Sequence, residues 1–194
     1  MRIEKVPVGV IAVIVPWNSP VNLTMGKIAP ALIMGNTVVI KPSPFAPAAV
    51  TLCLRKMASV LPPGVINVVQ GQSEAGSALT SHPLVRGISF TGGIETGKAG
   101  MKNAAETVKN VGLELGGNDP AIVLDDVNVD EIIPRMAKGI FRRAGQICYA
   151  IKRVYVPERI YDTFVHALCE YVDQFRVGYG LDERATMGPV NNQN

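Results

Sequence analysis

The sequence of 194 residues reads as an α/β protein with a doubly wound, mostly parallel sheet. Short runs that are apolar throughout, such as residues 9–15 and 37–40, alternate with stretches whose apolar residues recur at helical spacing. Strands apolar on both faces, separated by helical crossovers, belong to parallel sheets covered by helices on both sides. The second feature is where the chemistry-bearing residues fall. An amide, an ammonium, a carboxylate and several glycine pairs stand where these runs end, and ligands bind beyond the carboxyl ends of strands in such sheets.

Taken in order, residues 9–15 form a first strand that Pro16 stops. Leu23, Ile28, Leu32 and Ile33 place a helix over 22–34, and Gly35-Asn36 closes it. Residues 37–40 are the second strand, and 46–61 a second helix ended by Pro62-Pro63-Gly64. A third strand covers 65–69 and ends at Gly71, with a short helix expected over 76–81. Then come a strand at 87–90 and a helix at 95–105. The strand expected at 108–115 runs into Gly116-Gly117, and another follows at 121–124. A helix over 129–143 delivers Cys148, 153–156 is a strand, 161–175 a final amphipathic helix and 178–194 a loop. The glycine pair marks a boundary between a first domain, 1–117, and the start of a second, 118–194.

Composition narrows the class. With 47% hydrophobic and 18% charged residues the chain is not disordered. The net charge of +3 comes from scattered cations, so no nucleic-acid surface is expected. No run approaches the roughly 18 apolar residues of a membrane span, and the stretch after Met1 lacks the apolar core of a signal peptide. Cys53, Cys148 and Cys169 are odd in number and widely spaced, which fits a reducing, cytoplasmic setting. His82 and His166 have no neighbours at ligand spacing, so no metal site is expected.

Cys148 follows Gly145-Gln146 at a turn, where a lone thiol is a candidate nucleophile. The ordinary fate of a free cysteine is to be a small buried hydrophobe, and Cys53 and Cys169, inside helical apolar patterns, read that way. Glu114 stands among Val111, Leu113 and Leu115, where a carboxylate is costly to bury without a partner. Desolvation there would tune it toward general-base work. Asn18 and Lys41 each end a strand, and the run from Gly92 to Gly97 passes from a strand into a helix N-terminus, which favours phosphate.

Together, Pro16-Trp17-Asn18, Lys41-Pro42-Ser43, Phe90-Thr91-Gly92-Gly93, Glu114-Leu115-Gly116-Gly117 and Gly145-Gln146-Ile147-Cys148 resemble the aldehyde dehydrogenase superfamily. Order and spacing match from about Val6 to the last residue. The resemblance implies a Rossmann-like nucleotide domain followed by the first part of a catalytic domain, and NAD(P)-dependent, non-acylating oxidation of an aldehyde to a carboxylic acid. Cys148 would add to the carbonyl as a thiohemiacetal, hydride would leave for the nicotinamide, and the thioester would be hydrolysed. Glu114 would be the base, and Asn18 with the Cys148 N–H the oxyanion hole. The implied cofactor set is Pro16, Trp17, Lys41, Ser43, Pro44, Gly71, Phe90, Thr91, Gly92, Gly93, Ile94, Glu95, Thr96, Gly97 and Leu115.

Three positions depart from the family. Gly93 replaces a serine, Asn118 a more frequent lysine, and Pro44 the glutamate with which NAD-preferring members hold the adenine ribose. Without that carboxylate, use of both NAD and NADP is expected. Family chains are more than twice as long, so the resemblance implies a central fragment with little turnover alone, and a homodimer or homotetramer for the full-length form. Two alternatives stand beside it. One is a CoA-acylating semialdehyde dehydrogenase, against which Glu114 argues; the other is a non-catalytic, truncated nucleotide-binding module. Which aldehyde is used is not legible.

Overall fold

The computed structural model describes residues 3–192. The chain divides between Leu115 and Gly116 into two compact units.

The first unit carries strands β1 (Val10–Ile14), β2 (Thr37–Lys41), β3 (Ile66–Val68), β4 (Val85–Thr91) and β5 (Asn110–Glu114). Its helices are α1 (Pro20–Ile33), α2 (Ala48–Ala58), α3 (Ser73–Ser81) and α4 (Ile94–Ala105). The strands lie in the order β3-β2-β1-β4-β5, with every pairing parallel. β1 is central because both its faces are apolar, and side chains alternate between faces along a strand. Val13 and Val15 join Ile28 of α1 and Val50 and Leu54 of α2 in one core. Ala12 and Ile14 join Ile88, Phe90 and Ala104 of α4 in the other. Helices therefore cover both faces, and the sheet is doubly wound. From β1 the chain goes first to β2 on one side and later to β4 on the other, so the strand order reverses between β1 and β4. Ligands of such sheets bind at that switch point.

In the second unit β6 (Asp119–Ile122) pairs in parallel with β7 (Ile151–Tyr155), and α5 (Val129–Phe141) and α6 (Tyr161–Val172) pack with them. Val123, Ile133, Met136 and Phe164 form its core. Asn128 caps α5, its side chain accepting from the Asp130 N–H at 3.1 Å.

Several boundaries differ from expectation. α1 begins at Pro20, because proline is pre-set for a first helical turn. α3 begins at Ser73, in polar sequence that hides its start, with Glu74 favourable in the first turn. Val108 belongs to a turn: its φ is 51° and it is 90% exposed, so β5 starts later than its apolar content suggests. The strands expected at 121–124 and 153–156 both begin two residues earlier. α5 stops at Phe141, and Arg143 and Ala144 turn left-handed with φ of 55° each before Gly145 at 73°. α6 stops at Val172. Past it, Val177 forms an isolated bridge with Met187 of the expected loop, whose last residues, Gln193 and Asn194, lie outside the described residues. Among the described residues no helix is long and apolar enough to cross a membrane.

Candidate functional site

The parallel register brings three strand ends level in the first unit: Ile14 lies opposite both Lys41 of β2 and Phe90 of β4. Pro16, Trp17 and Asn18, all half-buried, follow β1 in the bend before α1. Lys41 is only 7% exposed, and its Nζ donates to the Gly71 carbonyl at 2.9 Å and to that of Pro42 at 3.2 Å. Burial pushes its ammonium below the ordinary lysine range. Gly71 has φ of 147°, and a Cβ there would stand 2.8 Å from that of Ala75, so only glycine offers its carbonyl in this way. Ser43 is buried and its Oγ accepts from the Phe45 N–H, while Pro44 is exposed.

At the end of β4 the Thr91 hydroxyl is buried without a hydrogen-bond partner. Next to it Gly92 approaches the Phe90 ring so closely that a Cβ would lie 2.6 Å from Cζ. Gly97, buried in the first turn of α4, would likewise crowd Leu115 Cδ2 at 2.8 Å. Gly93 is the N-cap of α4, no side chain caps that helix end, and a Cβ at Gly93 would meet nothing within 4 Å. Ile94, Glu95 and Thr96 are exposed, with Glu95 paired to Lys98 at 2.8 Å. An orphaned buried hydroxyl, bare backbone and an uncapped N-terminus of a 12-residue helix fit the phosphates of a dinucleotide.

Glu114 corrects the sequence reading. It is exposed, not desolvated, because β5 alternates: Val111, Leu113 and Leu115 point inward, and Asn110, Gly112 and Glu114 outward. What does meet its charge is a residue not singled out from sequence, Lys27. This half-buried lysine donates to Ser89 Oγ at 3.2 Å; burial lowers its proton affinity and the Glu114 charge opposes that shift. The signal was present, since Lys27 is the one charged residue in the sequence of α1.

The second unit holds Cys148, half-buried in a turn closed by the Ala150 N–H to the Ile147 carbonyl at 3.1 Å. Its neighbours Ile147 and Ala150 are buried and anchor that turn. Cys53 is half-buried in α2. Cys169 is exposed, against the expectation of a packed thiol: five positions beyond buried Phe164, it falls on another face of α6. The same unit contains a cavity of about 690 Å³ whose lining includes Arg135, Lys138, Arg142 and Arg143 beside Phe141 and Phe175. His82 and His166 are exposed, and among the described residues no cluster of ligating side chains could hold a metal ion.

A sequence model of the aldehyde dehydrogenase family matches residues 1–194. Mitochondrial succinate-semialdehyde dehydrogenase of Arabidopsis thaliana is 45% identical over 99% of this chain and 37% of its own length. The NADP(+) succinate-semialdehyde dehydrogenase GabD of Escherichia coli is 43% identical over 96% of this chain and 39% of its own. Among solved structures, a C291A mutant of aldehyde dehydrogenase C from Pseudomonas syringae, complexed with NAD+ and octanal, superposes with a TM-score of 0.94. It is 36% identical, and the match covers 98% of this chain and 40% of that one. Betaine aldehyde dehydrogenase of Staphylococcus aureus in complex with NAD+ gives 0.91 at 40% identity, over 96% and 37%. The chain thus spans about two-fifths of the proteins it matches.

Proposed function

The chain belongs to the aldehyde dehydrogenase family, and on that premise we propose that it serves the NAD(P)-dependent oxidation of an aldehyde to a carboxylic acid, with Cys148 as the nucleophile. The observation that carries this reading is the half-exposed thiol on a turn anchored by buried neighbours. Residues 1–117 serve as the nucleotide domain and 118–194 as the start of the catalytic domain. Lys41, Ser43, Thr91 and the glycines at the start of α4 hold the dinucleotide, Lys41 from the buried end of β2. Its nicotinamide, when bound, supplies the hydride acceptor.

The Cys148 thiolate adds to the aldehyde carbon, forming a C–S bond, and the carbonyl oxygen becomes an oxyanion. The Asn18 amide and the Cys148 N–H stabilise that charge; losing one such donor costs about 100- to 1,000-fold in rate. After oxidation to the thioester, Glu114 takes a proton from water, the hydroxide adds to the acyl carbon, and the C–S bond breaks to release the acid. Glu114 is exposed, and its charge acts on the half-buried Lys27.

The relatives named for succinate semialdehyde, together with the four cations lining the cavity of the second unit, favour an aldehyde with an anionic tail. Brief iodoacetamide treatment followed by peptide mass spectrometry tests both levels. Cys148 is expected to react ahead of Cys53 and the exposed Cys169, at a rate that NAD+ changes. Equal reaction at Cys148 and Cys169, indifferent to NAD+, refutes the nucleophile. Succinic semialdehyde should protect Cys148 at about tenfold lower concentration than butanal; equal protection removes the anionic tail.

A further inference from the structure

We propose that Lys152 is the positioning residue of the Cys148 turn, its ammonium clamping the backbone carbonyls on either side of the cysteine. The proposal rests on the reading of Cys148 as nucleophile. Lys152 stands second in β7 and is exposed, a place from which a lysine ordinarily extends into water. Instead the side chain folds back, and its Nζ donates to the Ile147 carbonyl at 3.2 Å and to the Ala150 carbonyl at 3.3 Å. These carbonyls open and close the four-residue turn that the Ala150 N–H to Ile147 bond defines. A charged donor makes such bonds stronger than neutral ones.

The space beside Cys148 is also constrained. A Cβ on Gly117 would sit 2.8 Å from the Cys148 carbonyl oxygen, so position 117 has no room for a side chain beside the turn. The first and last carbonyls of the turn are engaged from outside it, by β7. The need for a clamp lies just upstream. Arg143 and Ala144 hold left-handed backbone that non-glycine residues disfavour, and that conformation feeds directly into Gly145, Gln146 and the turn. Without an anchor past the strained run, the turn could relax and take the thiol with it.

The test compares the whole chain with K152M, which keeps the apolar stem and removes charge and donors, and with K152R, which keeps both. Iodoacetamide alkylation is followed peptide by peptide, with Cys53 and Cys169 as internal references and a thermal melt beside it. In K152M, which loses both charge-assisted bonds, Cys148 is expected to react about tenfold more slowly. Cys169 should stay within about twofold and K152R should restore the rate. An unchanged or faster Cys148 in a variant that melts cooperatively overturns the proposal. If K152M does not fold, K152A, which also removes charge and donors, takes its place, and the same unchanged rate overturns the proposal. Aldehyde protection of wild-type Cys148 separates the two readings. Without protection the nucleophile fails whatever Lys152 does; with protection and a wild-type rate in K152M, only the role of Lys152 fails.

Discussion

Replacing Gly93 by serine should tighten nucleotide binding without a structural penalty. Gly93 has φ of −69° and ψ of 150°, an N-cap conformation that serine adopts freely, and its Cβ would enter open space. Serine in place of glycine at an N-cap is worth a few tenths of a kcal/mol, so the melt should move upward only slightly. The larger effect concerns phosphate. A hydroxyl on the N-cap of α4 can accept an N–H of its first turn while donating to an anion there, and a hydrogen bond to a charged group contributes about 1.5–3 kcal/mol. Discounting part of that for the water displaced, affinity for NAD+ should rise about tenfold, or about 1.4 kcal/mol. Titration calorimetry measures it, with the fluorescence of the single tryptophan, Trp17, as a second reporter. The adjacent Gly92→Ala supplies the contrast, since its Cβ would meet the buried Phe90 ring at 2.6 Å and overpacking costs about 1–3 kcal/mol. Unchanged or weaker binding in a Gly93→Ser variant of wild-type stability would refute phosphate placement at this helix end.

Pro44→Glu, at an exposed position beside Ser43, restores a carboxylate that repels a 2′-phosphate. The ratio of NAD to NADP affinity should rise about tenfold, and an unmoved ratio in paired titrations argues that the adenine ribose lies elsewhere. Lys41→Met tests the buried ammonium. Because burial lowers its pKa from 10.5, the unfolded chain binds this proton more tightly, and the penalty is fully present below the depressed value. Stability therefore rises as pH climbs through the window below 10.5, and Lys41→Met should flatten that rise while weakening nucleotide binding. Denaturant midpoints measured across the alkaline window check it, and parallel slopes in the two proteins would count against it. Phe164→Ala empties the centre of the second core, where Phe164 is 1% exposed, and should cost about 3–5 kcal/mol in chemical denaturation; a loss under about 1 kcal/mol would contradict the packing described.

The sheet was legible because its information is local. Residues 9–15 are apolar at every position, which only a strand buried on both faces uses, and each crossover carries its own helical spacing and stop. The chemistry-bearing residues were legible for a related reason: a parallel sheet sends every strand end to one edge, so a lysine or glycine pair at the end of an apolar run is already placed. Glu114 shows where this reading fails. Its apolar neighbours in sequence suggested burial, yet period-two alternation puts those same neighbours on the opposite face of β5. The alternation was in the sequence and outranks proximity. The cations of the second-unit cavity also had a helical signal, with Arg135, Lys138 and Arg142 three and four positions apart. The surroundings of Cys148 left none. They consist of a left-handed run at Arg143 and Ala144, a bare Cα at Gly117 and carbonyl oxygens that Lys152 reaches. Every residue has a carbonyl, so its engagement leaves no mark on residue type. A candidate nucleophile can be named from sequence motifs, but the backbone atoms around it are ones that all residue types share.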